Sequence, residues 1–242
     1  MYGFTFNSIP ASTHGVVMKS KNRQVLPTVN DIYQQIPGRN GSYLFAGELS
    51  DRMIVVECSV LKTTFALLRS GLRGIAAWLY QTDRKVLVFD DEPTMYYDAK
   101  VEGSIDFEQV MKHGKFTLTF RCAPLAYTAE THDHFADDSV VANNTGNYEA
   151  PPIFTFTFTD TATEMKVTLG TKYIRVVHDF AIADVLIVNC ETGLISINGT
   201  RAMEELDWAA SELFMLAPGN NTMTILPEDK CMAIVTYKPR WL

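Results

Sequence analysis

The amino-acid sequence predicts a mainly β protein with a single α-helix and a C-terminal β-sandwich. Apolar residues recur at every second position along most of the chain, as in Phe154, Phe156 and Phe158, and this period is typical of strands with one buried face. Only the segment from about Thr64 to Gln81 repeats strongly at helical spacing. At 242 residues, the chain is long enough for one large domain or two small ones.

Strands are predicted on either side of the helix. In residues 54–60, apolar side chains alternate with polar ones, and residues 86–89 form a short apolar run that indicates a strand covered on both faces. Residues 105–108 and 116–120 also alternate. This last pair predicts an antiparallel hairpin in which Gly114 supplies the positive φ of the turn.

The helix is predicted from an apolar stripe about 100° wide. Its members are Phe65, Leu68, Leu72, Ile75, Ala76 and Leu79. We expect Thr63 or Thr64 to cap the N-terminus. Burial of the large side chains, at about 1.5–3 kcal/mol each, outweighs the roughly 1 kcal/mol that each of Gly71 and Gly74 costs inside a helix.

A second stripe lies on the opposite side of the predicted helix and contains Leu67, Gly71, Gly74 and Trp78. Small residues beside a Leu and a Trp let another backbone approach closely, so we expect this stripe to dock on another segment or on another subunit. The alternative is a half-exposed Trp with two tolerated glycines. If the stripe is an interface, Gly74→Leu disturbs assembly more than folding.

Five further residues are predicted to shape turns or to end strands. Pro37, Gly38 and Gly41 lie in a predicted loop, and Pro93 and Pro124 are expected to close strands. Glycine permits a positive φ, whereas proline fixes φ and removes a hydrogen-bond donor. The predicted role of these residues is therefore structural.

The chain is expected to divide into two domains. Residues 128–147 are mostly polar and are followed by Ala150-Pro151-Pro152, which is typical of a linker or long loop. We therefore assign residues 1–130 to an N-terminal domain, residues 131–150 to the linker and residues 151–242 to a C-terminal domain. Many short strands separated by turn signals make this last domain an antiparallel β-sandwich.

Composition argues against several classes of function. The formal net charge of -7 opposes a sequence-independent grip on the nucleic-acid backbone. No segment approaches the ~20 apolar residues that span a bilayer, and the N-terminus shows no signal-peptide pattern. We therefore expect a soluble protein that is made in a cytoplasm and does not insert into membranes.

The four cysteines do not predict a disulfide framework or a zinc site. They are Cys58, Cys122, Cys190 and Cys231, and no two of them form a CxxC pair. Free cysteines are among the residues most often buried. We expect reduced thiols on the core faces of strands.

No cluster of polar residues predicts a metal site. His132, Asp133 and His134, with Asp137 and Asp138 nearby, have loose spacing within the predicted loop. Metal ligands need rigid placement by surrounding groups. Side chains of a solvated loop are therefore the better interpretation, and no metal or cofactor is expected.

Catalysis is not predicted either. His178-Asp179 resembles part of a dyad, but the sequence has no Gly-x-Ser-x-Gly elbow to supply a nucleophile. Asp90-Asp91-Glu92 lacks EF-hand spacing and is expected to form a turn. Aromatic residues, including Trp78, Trp208 and Trp241, could stack on sugars if they are exposed on a β-sandwich, although core packing is the simpler explanation.

Landmarks recur in order along nearly the whole chain. They lie at residues 3–9, 14–16, 36–41, 72–79, 89–93, 96–97 and 117–127 in the N-terminal part, and at 151–153, 188–193 and 216–221 in the C-terminal part. In this order they resemble the distal tail (Dit) proteins of long-tailed, siphovirus-type bacteriophages. Each motif alone is weak, but their common order is fairly specific.

The resemblance implies a structural function in the virion, at the tail tip or baseplate. It implies an N-terminal ring-forming domain with one helix, which makes a homohexamer, and a galectin-like C-terminal β-sandwich. The expected partners are the tail tube protein, the tape-measure protein and the tail-associated lysin or receptor-binding apparatus. DNA would pass through the ring without specific binding. The alternative is a carbohydrate-binding module that contacts the host surface through the C-terminal sandwich.

Overall fold

A computed structural model describes residues 3–61, 64–110 and 113–242. The chain divides into two compact units, the first ending at Ala126 and also containing Leu242, and the second spanning Tyr127–Trp241. The strands of the first unit are β1 (Phe4–Phe6), β2 (Ile9–Pro10), β3 (Val16–Arg23), β4 (Val29–Gln35), β5 (Ser42–Leu49), β6 (Arg52–Leu61), β7 (Lys85–Phe89), β8 (Glu92–Glu102), β9 (Phe107–Val110) and β10 (His113–Cys122), and β11 (Ala126–Tyr127) lies at the division. A 3-10 helix (Ala11–His14) and the α-helix α1 (Phe65–Leu79) complete this unit.

The main sheet of the first unit follows the order β2-β1-β7-β8-β10-β6-β3, and β9 pairs with β10. Residues 54–60 alternate as predicted except at Ser59, which is also buried. The buried side chains at every second position of β6 lie opposite buried residues of β10. The buried aliphatic, sulfur and aromatic side chains of these two strands are Ile54, Val56, Cys58, Val60, Phe116, Leu118, Phe120 and Cys122. This sheet therefore carries the core on which α1 packs its buried residues.

The predicted helix is confirmed, and Thr64 caps it. Thr64 has extended φ and ψ of -135° and 158°, and its hydroxyl accepts a hydrogen bond from the Leu67 amide at 3.2 Å, as an N-cap does. Leu68, Ile75 and Leu79 are buried as predicted. Ala76 is exposed, so its predicted place in the core stripe is wrong. The buried stripe is rotated away from Ala76 because Trp78 fills part of the core.

The predicted hairpin around Gly114 is present, but the glycine has a different function in it. β9 and β10 are antiparallel, with Gln109 opposite Gly114, so Gly114 is a strand residue and the prediction of a turn glycine is wrong. A Cβ atom at Gly114 would lie 1.8 Å from Cζ of Phe107. The absence of a side chain at this position therefore gives the Phe107 ring its place over the strand.

Pro93 is also placed differently from the prediction. It is the second residue of β8 rather than a residue that closes a strand, and the turn is formed by Asp90 and Asp91. The pairing of β7 with β8 is irregular between Leu87 and Phe89. Proline has no amide hydrogen to donate to a ladder, and an irregular stretch of pairing is where a strand tolerates it. Pro124 follows the end of β10 in a bend.

The second unit is a β-sandwich. Its strands are β12 (Thr131–His134), β13 (Ser139–Asn144), β14 (Ile153–Phe158), β15 (Ala162–Leu169), β16 (Lys172–Phe180), β17 (Val185–Asn189), β18 (Leu194–Ile197), β19 (Thr200–Arg201), β20 (Gly219–Leu226), β21 (Cys231–Tyr237) and β22 (Arg240–Trp241), with a 3-10 helix at Met203–Glu205. One sheet has the order β12-β21-β14-β17-β18-β19 and the other β13-β20-β15-β16. Phe154, Phe156 and Phe158 lie in the common core, as their alternation predicted.

Residues 131–150 do not form a linker, so that prediction is wrong. β12 and β13 lie within this segment, and each is the edge strand of one sheet of the sandwich. Val140 and Ala142 are buried between exposed neighbours. Asn144 is buried too, and its amide donates hydrogen bonds to the carbonyl oxygens of Tyr148 and Leu216 at 2.9 and 3.0 Å. The polar composition reflects the solvent face of edge strands and a buried but satisfied amide.

Candidate assembly surface

The most exposed element of the first unit is the hairpin formed by β4 and β5. The two strands pair only with each other, from Val29 opposite Leu49 to Gln35 opposite Ser42. Every residue of β4 is exposed, and so is all of β5 except its last residue. The exposed large apolar residues on or beside the hairpin are Val25, Leu26, Val29, Ile32, Tyr33, Ile36, Tyr43, Leu44 and Phe45. A two-stranded hairpin is marginally stable alone in water, so we expect another surface to cover this element.

The geometry of the hairpin is fixed by its loop and by one irregularity. Gly38 and Gly41, in the loop that the sequence predicted, have φ of +85° and +87°, which an L-residue adopts only with strain. Pro37 precedes them in the same turn. The guanidinium of Arg39 lies 4.0 Å from the centre of the Tyr43 ring. The register shifts between Ile32 and Tyr33, which increases the local twist.

The hairpin strands carry only negative charge. Asp31 and Glu48 are the charged residues of β4 and β5, and neither forms an ion pair with another described residue of the chain. The Tyr33 hydroxyl donates a hydrogen bond to Asp31 at 3.1 Å, and this bond raises the pKa of Tyr33. Asp31 lies opposite Gly47, and Glu48 lies opposite Asn30. Because neighbouring positions of a strand point to opposite faces, each face carries one carboxylate.

The outer face of α1 carries only positive charge. Arg69 and Arg73 are the charged residues of the helix, both are exposed, and across residues 3–61, 64–110 and 113–242 no ion pair involves them. Between them and around them the face is built from the small exposed residues Ala66, Ser70 and Ala77. Such a face lets another element approach the helix backbone closely.

An open groove continues this face at the C-terminal end of the helix. It has a volume of about 850 Å³ and is lined from one side by Ala76, Ala77 and Tyr80 and from the other by Val101 and Ile105. Tyr80 is 78% exposed. Gln81, Thr82 and Lys100 also line the groove. The groove is therefore a mainly apolar concavity next to a basic helix face.

The stripe predicted as an interface does not form one surface. Trp78 is only 4% exposed; its ring stacks on Phe4 at 5.8 Å and on His14 at 4.8 Å, and its Nε1 donates to the Phe6 carbonyl at 3.0 Å. Trp78 therefore docks on another segment of its own chain, which was one of the two predicted alternatives. The other alternative, a contact with another subunit, is wrong for Trp78 because its own chain buries the indole. A Cβ at Gly74 would meet only His14 Nδ1, at 3.8 Å.

Leu67 is the exposed member of the predicted stripe, at 53%, and Gly71 is half-buried. Sequence reasoning missed Arg69 and Arg73 on the helix and Tyr80 directly after it. It also missed the hairpin, although the run Tyr43-Leu44-Phe45 beside a turn with two glycines was a usable signal.

The residues that the sequence offered as catalytic or metal-binding candidates lie in both units. His132 Nδ1 on β12 lies 3.0 Å from the Thr236 hydroxyl on the neighbouring strand β21, and Asp133 accepts a hydrogen bond from Tyr237. His178 pairs with Glu205 at 3.3 Å. The described residues contain no group of three or more His, Cys, Asp and Glu side chains that could hold a metal ion. In these residues we find no arrangement of nucleophile, base and orienting group.

One exposed aromatic residue on the second unit has a fixed orientation. Trp208 is 66% exposed, and its Nε1 donates to the Met203 carbonyl at 3.1 Å. The preceding residue, Asp207, accepts a hydrogen bond from Arg175 at 3.2 Å, and Arg175 also pairs with Glu164. The exposed indole is therefore held in one orientation next to ordered hydrogen-bonding groups. Among the described helices, none is long and apolar enough to cross a bilayer.

Comparison with known protein families gives a match to each unit. Residues 12–122 match the family described as "Phage tail protein RIFT-related domain", and residues 145–241 match "Siphovirus-type tail component, C-terminal domain". The Distal tail protein of Bacillus phage SPP1 is 26% identical over 194 residues, which are 77% of this chain and 76% of that protein. Fold and sequence together define a component of a siphovirus-type phage tail.

Solved structures show the same fold. The crystal structure of SPP1 Dit (gp 19.1), described as a paradigm of the hub adsorption apparatus in phages that infect Gram-positive bacteria, matches with a TM-score of 0.86 at 19% identity over 100% of both chains. The phage P2 baseplate, in its activated conformation with Ca, contains a chain that matches with a TM-score of 0.51 at 8% identity over 98% of both chains. The protein belongs to the distal tail (Dit) protein family.

Proposed function

We propose that this protein is the structural hub of the tail tip or baseplate, in which six copies form a closed ring. The ring joins the tail tube protein and the tape-measure protein to the tail-associated lysin or receptor-binding apparatus, and it lets DNA pass. The proposal is supported by the family and by the names of the relatives, which describe a distal tail protein and a hub of an adsorption apparatus. The protein performs no catalysis in this function.

The observation that carries the proposal is the exposed hairpin β4–β5. Its apolar side chains Ile32, Leu44 and Phe45 are 58–65% exposed, although burial of each would contribute about 1.5–3 kcal/mol. A ring requires two different complementary faces on each copy. The hairpin supplies one face, and a second copy of the chain is the occupant that makes it a ring contact.

The oligomeric state of the purified protein tests the ring. We expect native mass spectrometry to give six chains of 27.1 kDa each, and negative-stain images to show rings with a central opening. The double variant Leu44→Ser/Phe45→Ser should give folded monomers with an unchanged circular dichroism spectrum. Ile182→Ser, which replaces a 65% exposed residue of the second unit, is the matched control and should still assemble. A wild-type chain that stays monomeric, even with its tail partners, overturns the proposal.

A second function, saccharide binding by the C-terminal sandwich, is favoured by Trp208. A pyranose ring can stack on its exposed indole, while Arg175 and Asp207 supply hydrogen-bonding groups nearby. Binding to a glycan array should then be lost in Trp208→Ala and retained in Met232→Ala, an exposed apolar control on β21. If the wild-type protein binds no host-surface saccharide, the saccharide-binding function is contradicted.

A further inference from the structure

We propose that the hairpin β4–β5 of one copy docks on the outer face of α1 of the next copy, with the carboxylates of Asp31 or Glu48 paired with Arg69 and Arg73. This inference rests on the proposed ring and assigns its two complementary faces. The occupant of the helix face is therefore a second copy of this chain.

Charge complementarity is the first observation behind this assignment. The two hairpin strands carry two carboxylates and no cation, whereas α1 carries two guanidiniums and no carboxylate. None of the four groups forms an ion pair with another described residue of its own chain. Arg69 and Arg73 are four positions apart, so they are neighbours on the helix surface and repel each other. An incoming carboxylate relieves that repulsion and accepts a bidentate hydrogen bond from a guanidinium.

Shape and apolar character are the second observation. Between and around the arginines the helix face presents Ala66, Ser70 and Ala77, and these small side chains let the two-stranded ribbon lie close to the helix. The groove of about 850 Å³ beside Ala77 and Tyr80 can take the large side chains of the ribbon, such as Phe45. Apolar burial then supplies affinity, while the charges fix the register and suppress the reverse arrangement.

The heterologous geometry is the third observation. Both surfaces lie on the first unit, and they are different from each other, so each copy offers one hairpin and one helix face. Repetition of such a contact generates a ring when the rotation closes. A contact between the strands of two hairpins would instead bring the carboxylates of Asp31 and Glu48 together, so the charge pattern of the strands opposes a two-fold dimer through them.

Charge reversal tests the assignment directly. Arg69→Glu/Arg73→Glu and Asp31→Lys/Glu48→Lys should each raise the protein concentration of half-assembly by about tenfold or more, since close interfacial charge pairs carry at least that much free energy. The fourfold variant that combines all the substitutions should recover most of the assembly. Lys19→Glu/Lys115→Glu reverses two exposed charges of the same unit and is the matched control, which should assemble like the wild type.

Disulfide trapping gives a second readout. Ala77→Cys combined with Phe45→Cys should give, on mild oxidation, a ladder of covalent oligomers up to six chains on a denaturing gel, because Ala77 lines the groove in which Phe45 is placed. Two results overturn the hairpin–helix contact while the hub proposal stands. One is cross-linking only within single chains, and the other is ring formation at wild-type concentrations by both charge-reversal variants. A wild-type protein that forms no ring overturns the hub proposal and this inference with it.

Discussion

At the scale of single residues, Trp78 shows why a helical pattern alone misassigned a surface. Small residues at Gly71 and Gly74 suggested that the indole faces a neighbour, but the ring lies against Phe4 and His14 in the core of its own unit. A large aromatic side chain contributes more by burial than any other residue on the helix. The sequence pattern could not show that β1 and the 3-10 helix meet at this position.

Trp78→Phe tests the buried function of the indole. The substitution leaves the Phe6 carbonyl oxygen without its donor, so the free energy of unfolding should fall by about 1–3 kcal/mol. Urea denaturation under conditions that keep the protein monomeric measures this change. Trp208→Phe is the control on an exposed Trp and should change stability by less than about 0.5 kcal/mol. Equal effects of the two substitutions would contradict the assignment.

Gly114 is a position where only the absence of a side chain fits. Gly114→Ala places a Cβ 1.8 Å from the Phe107 ring, so the ring must move and the variant should lose about 1–3 kcal/mol of stability. In a Phe107→Ala background, the same substitution should cost far less, and a double-mutant cycle measures that coupling. Gly74→Ala, which meets only ordinary contact at 3.8 Å, should stabilise the helix by up to about 1 kcal/mol.

The buried thiols predict how stability depends on alkaline pH. Burial raises the pKa of the Cys58 thiol to about 12, and that of Cys122 and Cys190 to about 12 as well. Unfolded thiols ionise from about pH 8.5, while the folded thiols keep their protons. The unfolded state therefore binds fewer protons, so this contribution to stability is complete below that pH and is lost as the pH rises toward 12.

Cys58→Val isolates one of these thiols from the lysines and tyrosines that also titrate in this range. Its free energy of unfolding should fall less steeply than that of the wild type between about pH 9 and 12. Denaturant unfolding at a series of pH values gives both slopes. Identical slopes would show that the thiol ionises equally in the folded and unfolded states.

At the scale of elements, the hairpin β4–β5 is the part of the first unit most dependent on its partner. Its backbone hydrogen bonds join only two strands, and its side chains are exposed. Hydrogen exchange at its amides should be fast in the monomeric Leu44→Ser/Phe45→Ser variant and slowed in the assembled wild type. Amides of β6, which pairs with β10 on one side and with β3 on the other, should be protected in both. Slow exchange of the hairpin in the monomer would mean that it needs no partner.

Elements that depend on local interactions alone could be predicted from the sequence. The helix with its Thr64 cap and the strand at residues 154–158 follow from period and capping, so they were found. β12 and β13 were missed because edge strands of a sandwich carry polar residues on their outer face, and a buried amide such as Asn144 is indistinguishable from a loop residue in sequence. The acidic hairpin and the basic helix face were missed because their complementarity exists only between elements far apart in the chain.

At the scale of the whole molecule, the two units have separate cores. The second unit buries Phe154, Phe156 and Phe158 between its two sheets together with residues from β13 to β21. A sandwich of about 115 residues is in the range of domains that fold alone. The exposed hairpin and the basic helix face both belong to the first unit. Folding of the second unit and assembly of the protein should therefore be separable.

A fragment of residues 127–242 tests this separation. It should unfold in one cooperative transition, show the circular dichroism of a β protein, and remain monomeric at concentrations where the full chain forms rings. The reason is that the fragment keeps the common core of the sandwich and lacks both proposed contact surfaces. Calorimetry and native mass spectrometry measure the two properties independently. If the fragment assembles by itself, the ring contact lies on the second unit. If the fragment is unfolded, its core depends on the first unit.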